Sequence, residues 1–279
     1  MHRIDTSTAL KDKFGVGKNG FTRGNPQTGT PATDLDDDFF DMLQEELVGV
    51  VEAAGLALDK GRHNQLLESI RLMCAGRLLG TPKVLGSSGS YTPGTNVKAI
   101  LVEIVGAGGG GGAASSSANY NAAGGGGGGG GYSKKYIPIS SAAAIPYTVG
   151  QGGNGATYPA SSGQVGGTTT FGSGFSATGG SGGNTASSNA SSSLVGMGGG
   201  GGTGSGGNIN STGSGGQNGV SSSPTIAGGT MGAGFGGASA ISGQGGPGGG
   251  GPGAVTNTGN QTVNGNRGND GVIIIWEFA

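Results

Sequence analysis

The chain has 279 residues, a formal net charge of −1 and 71 glycines, against only 32% hydrophobic and 5% aromatic residues. So sparse a charge argues against nucleic acid or an anionic membrane as partner, and no apolar run reaches the roughly 18 residues of a spanning helix, so no membrane insertion is expected. A single cysteine, Cys74, excludes an intramolecular disulfide framework.

The opening MHRIDTSTALKDKFG lacks the apolar stretch of a signal peptide, so synthesis in the cytoplasm is expected, with release by a route such as lysis if the protein acts outside. Residues 1–79 hold 9 of the 14 Lys+Arg and 12 of the 15 Asp+Glu, while 62 of the 71 glycines follow residue 79. The composition therefore divides into an N-terminal region 1–79, a linker 80–96 and a glycine-rich domain 97–279.

In the charged region, TPATDLDDDFFDMLQEELVGVVEAAGLAL reads as a helix with Thr33 as N-cap, acidic residues Asp34 to Asp38 in its first turn and Gly55 as its stop. Phe39, Leu43, Leu47, Val50 and Ala54 recur at helical spacing, and GRHNQLLESIRLMCAGRLL repeats the pattern with Leu66, Ile70, Met73 and Leu78. These are two amphipathic helices of roughly 20 residues each, too little for a large core alone. Cys74 falls in the apolar stripe and reads as a small buried hydrophobe. The aspartate cluster lacks the glycine and distant glutamate of a calcium loop, and GVGKNGFTRGN lacks the order of a phosphate-binding loop, so neither metal nor cofactor is called for.

The segment KDKFGVGKNGFTRGNPQTGTPATDLDDDFFDMLQEELVGVV, Lys11 to Val51, resembles the N-terminal segment of tail fibre proteins of Mu-like phages and related prophages. The blocks GKNGFT, GNPQTGTPAT and LDDDFFDMLQEEL stand in that family's order and spacing. The resemblance implies a fibre located in the virion, attached through this end to tail baseplate proteins and assembled as a homotrimer.

In the glycine-rich domain VKAILVEIV, 97–105, is a strand apolar on both faces and so expected to be buried on both. YSKKYIPI, PYTVG, TTTFG, FSAT and the final VIIIWEF are further strands. With anchors at both extremes and almost no charge, the glycine between them does not read as disorder. It lacks the strict period of collagen. The remaining candidate is the polyproline II helix of glycine, whose outward N–H and C=O groups can bond to several neighbours at once because no side chains hold them apart. Such rods are expected at Ala107 to Gly112, Gly124 to Gly131, Gly179 to Gly183, Gly198 to Gly207, Gly228 to Gly237 and Gly243 to Gly253. A bulky residue at Gly127 or Gly128 should jam a neighbour, whereas the Ser115 to Ser117 loop should tolerate one. The fold class is thus a short α-helical N-terminal region followed by an all-β and irregular domain of short strands and packed polyglycine II helices.

This order of strand, GAGGGGG, loop, GGGGGGYSKKYIPIS, PYTVGQGG, TTTFGS, FSATGGSGG and terminal VIIIWEF resembles the glycine-rich C-terminal domain of tail fibres and the polyglycine adhesins of some T-even-like long tail fibres. The resemblance implies that loops joining the rods contact a bacterial surface receptor, an outer-membrane protein or a polysaccharide. If the strands cluster at one end, the turns 113–123, 157–163 and 186–194 share the opposite end. The candidate receptor-binding residues there are Ser117, Asn119, Tyr120, Asn121, Thr157, Tyr158, Ser188, Asn189 and Ser191, with the tyrosines supplying most contact area. Phe235, in MGAGFGG, reads as internal packing.

No catalytic residues are expected. The glycine-rich domain holds Glu103, Asp270 and Glu277 as its only acids, and both histidines, His2 and His63, lie in the N-terminal region. The fibre of a phage-tail-like bacteriocin and a non-binding glycine-rich spacer are the alternatives.

Overall fold

The structure, a computed structural model, describes residues 2–74, 76–188, 194–221, 226–227, 245–257 and 259–279. The chain divides into two units, Met1–Ala75 and Gly76–Ala279.

In the first unit α1 (Asp37–Ala53) packs on α2 (Gln65–Met73). The cap of α1 is Asp36, not Thr33: its carboxylate accepts the Phe39 N–H at 2.8 Å, while the Thr33 hydroxyl is engaged upstream by the Thr22 N–H at 2.9 Å. Asp37 and Asp38 follow in the first turn, where the helix dipole favours them. The helix ends as expected at Gly55, whose φ of +75° lets its N–H reach the Glu52 carbonyl at 2.8 Å. The second helix stops at Met73. Leu78 therefore leaves the expected stripe and bridges Phe278 instead. Cys74, as the residue after the helix, is exposed rather than buried. Leu43, Leu47, Leu66, Ile70 and Met73 also stay exposed, because two helices this short bury little surface against each other.

The second unit is built on β1 (Lys83–Leu85), β2 (Gly89–Tyr91), β3 (Ala99–Val105), β4 (Tyr132–Pro138), β5 (Ile145–Thr148), β6 (Thr169–Phe171), β7 (Ser176–Ala177), β8 (Gly204–Ser205), β9 (Ile209–Ser211) and β10 (Val272–Phe278). They form two antiparallel five-stranded sheets, β1-β10-β3-β4-β9 and β8-β7-β6-β5-β2. Residues 80–96, read above as a linker, carry β1 and β2, each an edge strand of one sheet. Ile100, Val102 and Ile104 of β3 and Ile273 and Ile275 of β10 meet Tyr91, Val149, Phe171 and Phe175 in one core. Because side chains alternate along a strand, the intervening Leu101, Ile274 and Trp276 lie on the other face and are only half-buried. Ala99, Glu103 and Val105 on that same face of β3 are nevertheless buried, so the expectation that β3 is buried on both faces holds except at Leu101.

Beyond the sheets the glycine segments lie outside any helix or strand and bond laterally with a three-residue period. Gly106, Gly109 and Gly112 donate to Gly131, Gly128 and Gly125; Ala107 and Gly110 donate to Gly167 and Gln164; Gly108 and Gly111 donate to Asn269 and Asn266. In return Ala107 and Gly110 accept from Gly180 and Gly183, Gly108 and Gly111 from Gly153 and Ala156, and Gly109 and Gly112 from Gly251 and Ala254. Every one of these bonds is 2.8 to 3.1 Å long, so segment 106–112 has six neighbours and meets each at every third residue.

Such close approach excludes side chains. A Cβ on Gly109 would fall on the Ser181 carbonyl, and one on Gly127 on the Gly109 carbonyl. The whole run Gly124 to Gly131 is buried. The segment from Gly198 gives way to β8 at Gly204, and Gly206, with φ +75°, turns the chain toward β9. Residues 150–156, 163–167, 213–219 and 265–271 join the same array with mixed sequence. Gly228 to Gly237, Phe235, Gly243 and residue 244 lie outside the described residues.

Candidate functional site

Four described excursions leave the sheets, turn and return. The chain goes out from β3 along 106–112 and back along 124–131 into β4, out from β5 and back into β6, out from β7 and back into β8, and out along 248–254 and back along 265–271 into β10. The described parts of their turns, 113–123, 157–162, 185–188 with 194–195, and 255–257 with 259–264, therefore share the end away from the sheets.

Short ladders tie the turns together. Ala114–Ser115 sits between Ala186–Ser187 and Thr262–Val263, and Ala122–Ala123 between Leu194–Val195 and Val255–Thr256. Ala114, Ala122 and Ala186 of these ladders form a small buried cluster with Ala254.

On this platform the Ser117 N–H donates to Ser188 Oγ at 2.8 Å, and Ser188 Oγ donates to the Tyr120 carbonyl at 3.2 Å, so turn 113–123 and the segment 185–188 meet around one hydroxyl. Tyr120 is half-buried and Asn119 beside it is exposed. The Asn121 carbonyl accepts the Leu194 N–H at 3.4 Å. Thr157 is exposed and its carbonyl closes a turn with the Ala160 N–H at 2.8 Å. Tyr158 is 39% exposed, its hydroxyl 3.5 Å from Ser187 Oγ and its N–H on Asn264 Oδ1 at 3.2 Å. Asn189 and Ser191 lie outside the described residues.

The turn 255–264 is absent from the candidates that the sequence suggests. Gln261 bonds with Ser116 in both directions, at 2.8 and 3.1 Å, Thr262 Oγ1 lies 3.2 Å from Ser115 Oγ, and Asn264 supports Tyr158. Its signal is the polar run NTGNQT between two glycine segments, obscured because the returning segment 265–271 contains only three glycines. Ser116 is itself 7% exposed, so the Ser115 to Ser117 loop is not uniformly tolerant of bulk.

The model of the glycine-rich domain family matches residues 83–276. The chain belongs to that family. The bounds of the glycine-rich domain coincide closely with β1 and β10, the antiparallel pair that joins its two ends. Over 77 residues the chain is also 75% identical to the uncharacterized protein StfP of Escherichia coli (strain K12), a stretch amounting to 28% of this chain and 37% of StfP.

The acids of the glycine-rich domain are engaged away from the tip. Glu103 pairs with Lys134 at 2.8 Å and Glu277 with Lys83 at 2.6 Å, while Asp270 pairs with Arg267 at 2.5 Å. Burial tends to push the Glu277 carboxyl up, but hydrogen bonds from Lys83 and Tyr91 and the lysine charge outweigh it and hold the pKa below 4.5. Burial, with the charge of and a hydrogen bond to Glu103, pushes the Tyr132 phenol up to about 12. Among the described residues no group of three His, Cys, Asp or Glu could hold a metal ion, and no helix is long and apolar enough to cross a membrane.

Proposed function

We propose that the protein is a non-enzymatic tail fibre of a phage or prophage that attaches the virion to a bacterial surface receptor through the tip of its glycine-rich domain. The observation carrying this reading is that four turns meet at one end of a laterally bonded array and present Asn119, Tyr120, Thr157 and Tyr158 together. Loops held on a rigid scaffold suit recognition, and tyrosine gives large contact area for little conformational entropy. The engaged state of Glu103, Asp270 and Glu277 supports the absence of hydrolytic chemistry.

In this reading the glycine segments are polyglycine II rods, for which the three-residue period and six neighbours are the support. The region 1–79 binds tail baseplate proteins and the fibre is a homotrimer, as its resemblance to Mu-like fibres implies. The same parts would serve a phage-tail-like bacteriocin.

The test is adsorption of the full chain, fluorescently labelled, to a susceptible bacterium. The Tyr120→Ala, Tyr158→Ala double variant should lose adsorption with its melting temperature nearly unchanged. Unaltered adsorption by a folded double variant would show that the receptor is read elsewhere. Failure of the wild-type chain to label any strain in a broad panel would favour a non-binding spacer.

A further inference from the structure

The sheet β1-β10-β3-β4-β9 has one face in the core and a second, largely apolar face that the other sheet does not cover: Ala99, Glu103, Val105 and Val272 on it are buried, while the residues toward its edges are exposed. On that outer face Val84 is 66% exposed, Ile209 57% and Tyr136 53%, and they surround the half-buried Leu101, Ile274 and Trp276. Register places them side by side: Val84 opposite Ile274, Trp276 opposite Leu101 and Leu101 opposite Tyr136, with Ile209 opposite Lys134 at the far edge. The charges of this face are Glu103 and Lys134, cross-strand partners 2.8 Å apart, and Lys134 also lies 5.8 Å over the Trp276 ring. A soluble chain composed so largely of glycine, serine and asparagine has no internal need for a Trp, Tyr, Leu and Ile cluster facing away from its core. Large contiguous apolar patches of this kind mark interaction surfaces.

We propose that this face is where copies of the chain meet. Where the faces of three copies turn toward a common three-fold axis, equivalent side chains come near one another, and like charges opposed across an interface are costly. A face whose charges are one acid and one base, already joined to each other and with the acid buried, avoids that repulsion. It offers no net field to an acidic or basic foreign partner. The two edges differ, β1 carrying Val84 and β9 carrying Ile209, so a rotary arrangement brings the β1 edge of one copy to the β9 edge of the next.

The inference rests on the homotrimer of the proposed function and adds the surface that makes it. Trp276 is the only tryptophan in the sequence, so its fluorescence reports this face directly. In the full chain at a concentration where sedimentation gives an assembly, Trp276 should emit to the blue and resist acrylamide. In an Ile209→Glu, Tyr136→Glu variant with unchanged circular dichroism, quenching should rise several-fold.

A second measurement does not depend on that variant folding. In a Cys74→Ser background, Val84→Cys and Ile209→Cys sit at opposite edges, four strand spacings or about 19 Å apart within one chain. A short bis-maleimide should therefore join them only between chains. Assembly with a freely quenched Trp276 and no cross-link would overturn the face and leave trimerisation standing. A single-chain wild type would overturn both, and a shielded Trp276 in that single chain would show that another part of the same polypeptide covers the sheet. Adsorption of the same samples tests the tip reading separately.

Discussion

Replacing Gly127 with alanine adds one methyl group to the middle of the buried run. Its Cβ would fall on the Gly109 carbonyl oxygen, with Gly109 C and Gly110 O also in contact range. To restore an ordinary separation of about 3.5 Å the two segments must part by more than roughly 1 Å. Neither has a flexible side chain to yield, since both contacts are backbone. Parting them threatens the Gly109 to Gly128 bond of 2.9 Å and the Gly112 to Gly125 bond of 2.8 Å. Overpacking of about 1–3 kcal/mol and two bonds of about 1 kcal/mol each, less about 0.4–1 kcal/mol for a stiffer unfolded chain, leave a net loss of about 2–4.6 kcal/mol.

For a unit of some 200 residues this lowers the melting temperature by roughly 4–18 °C. Gly200 is the matched control: it lies in the same kind of run, but an added Cβ meets nothing nearer than Ser181 Oγ at 3.9 Å. There the unfolded-state term acts alone, and Gly200→Ala should raise the melting temperature by roughly 1–4 °C. Calorimetry of the full chain measures both. Equal shifts would refute the packed array and describe a flexible spacer, in which every glycine is alike.

Three further outcomes are expected. Phe171, 1% exposed in the core, should lose about 3–5 kcal/mol on replacement by alanine, seen as a lower denaturant midpoint. Glu277 has a lowered folded pKa, so its contribution to stability is complete above its unfolded value near 4.5 and is lost as pH falls through the folded value. Glu277→Gln should accordingly flatten the decline of melting temperature below about pH 4.5, and a decline as steep as wild type would reject this assignment. Ser188→Ala removes the acceptor of the Ser117 N–H; with about 1 kcal/mol of local protection gone, hydrogen exchange at Ser117 should quicken roughly fivefold, while unchanged exchange would deny the bridge between the two turns.

Local patterns in the sequence suffice for the helices' existence, for the long strands β3, β4 and β10, and for the out-and-back course of the first three excursions. Each depends on a near-neighbour rule: a capping acid, a β-branched run, a polar insert between glycine runs. The exact cap does not follow from such rules, because Thr33 and Asp36 compete for it and Thr22, eleven residues before Thr33, decides the outcome. The fourth turn is decided the same way. In a lattice with a three-residue period only positions that face a close neighbour must be glycine, so segment 265–271 carries Asn266, Arg267 and Asp270 and does not read as a rod. Burial of Ser116 depends on Gln261, 145 residues away. Which face of VIIIWEF is covered depends on where the second sheet packs. Those contacts join residues far apart in the chain, and composition and periodicity, being local, carry no record of them.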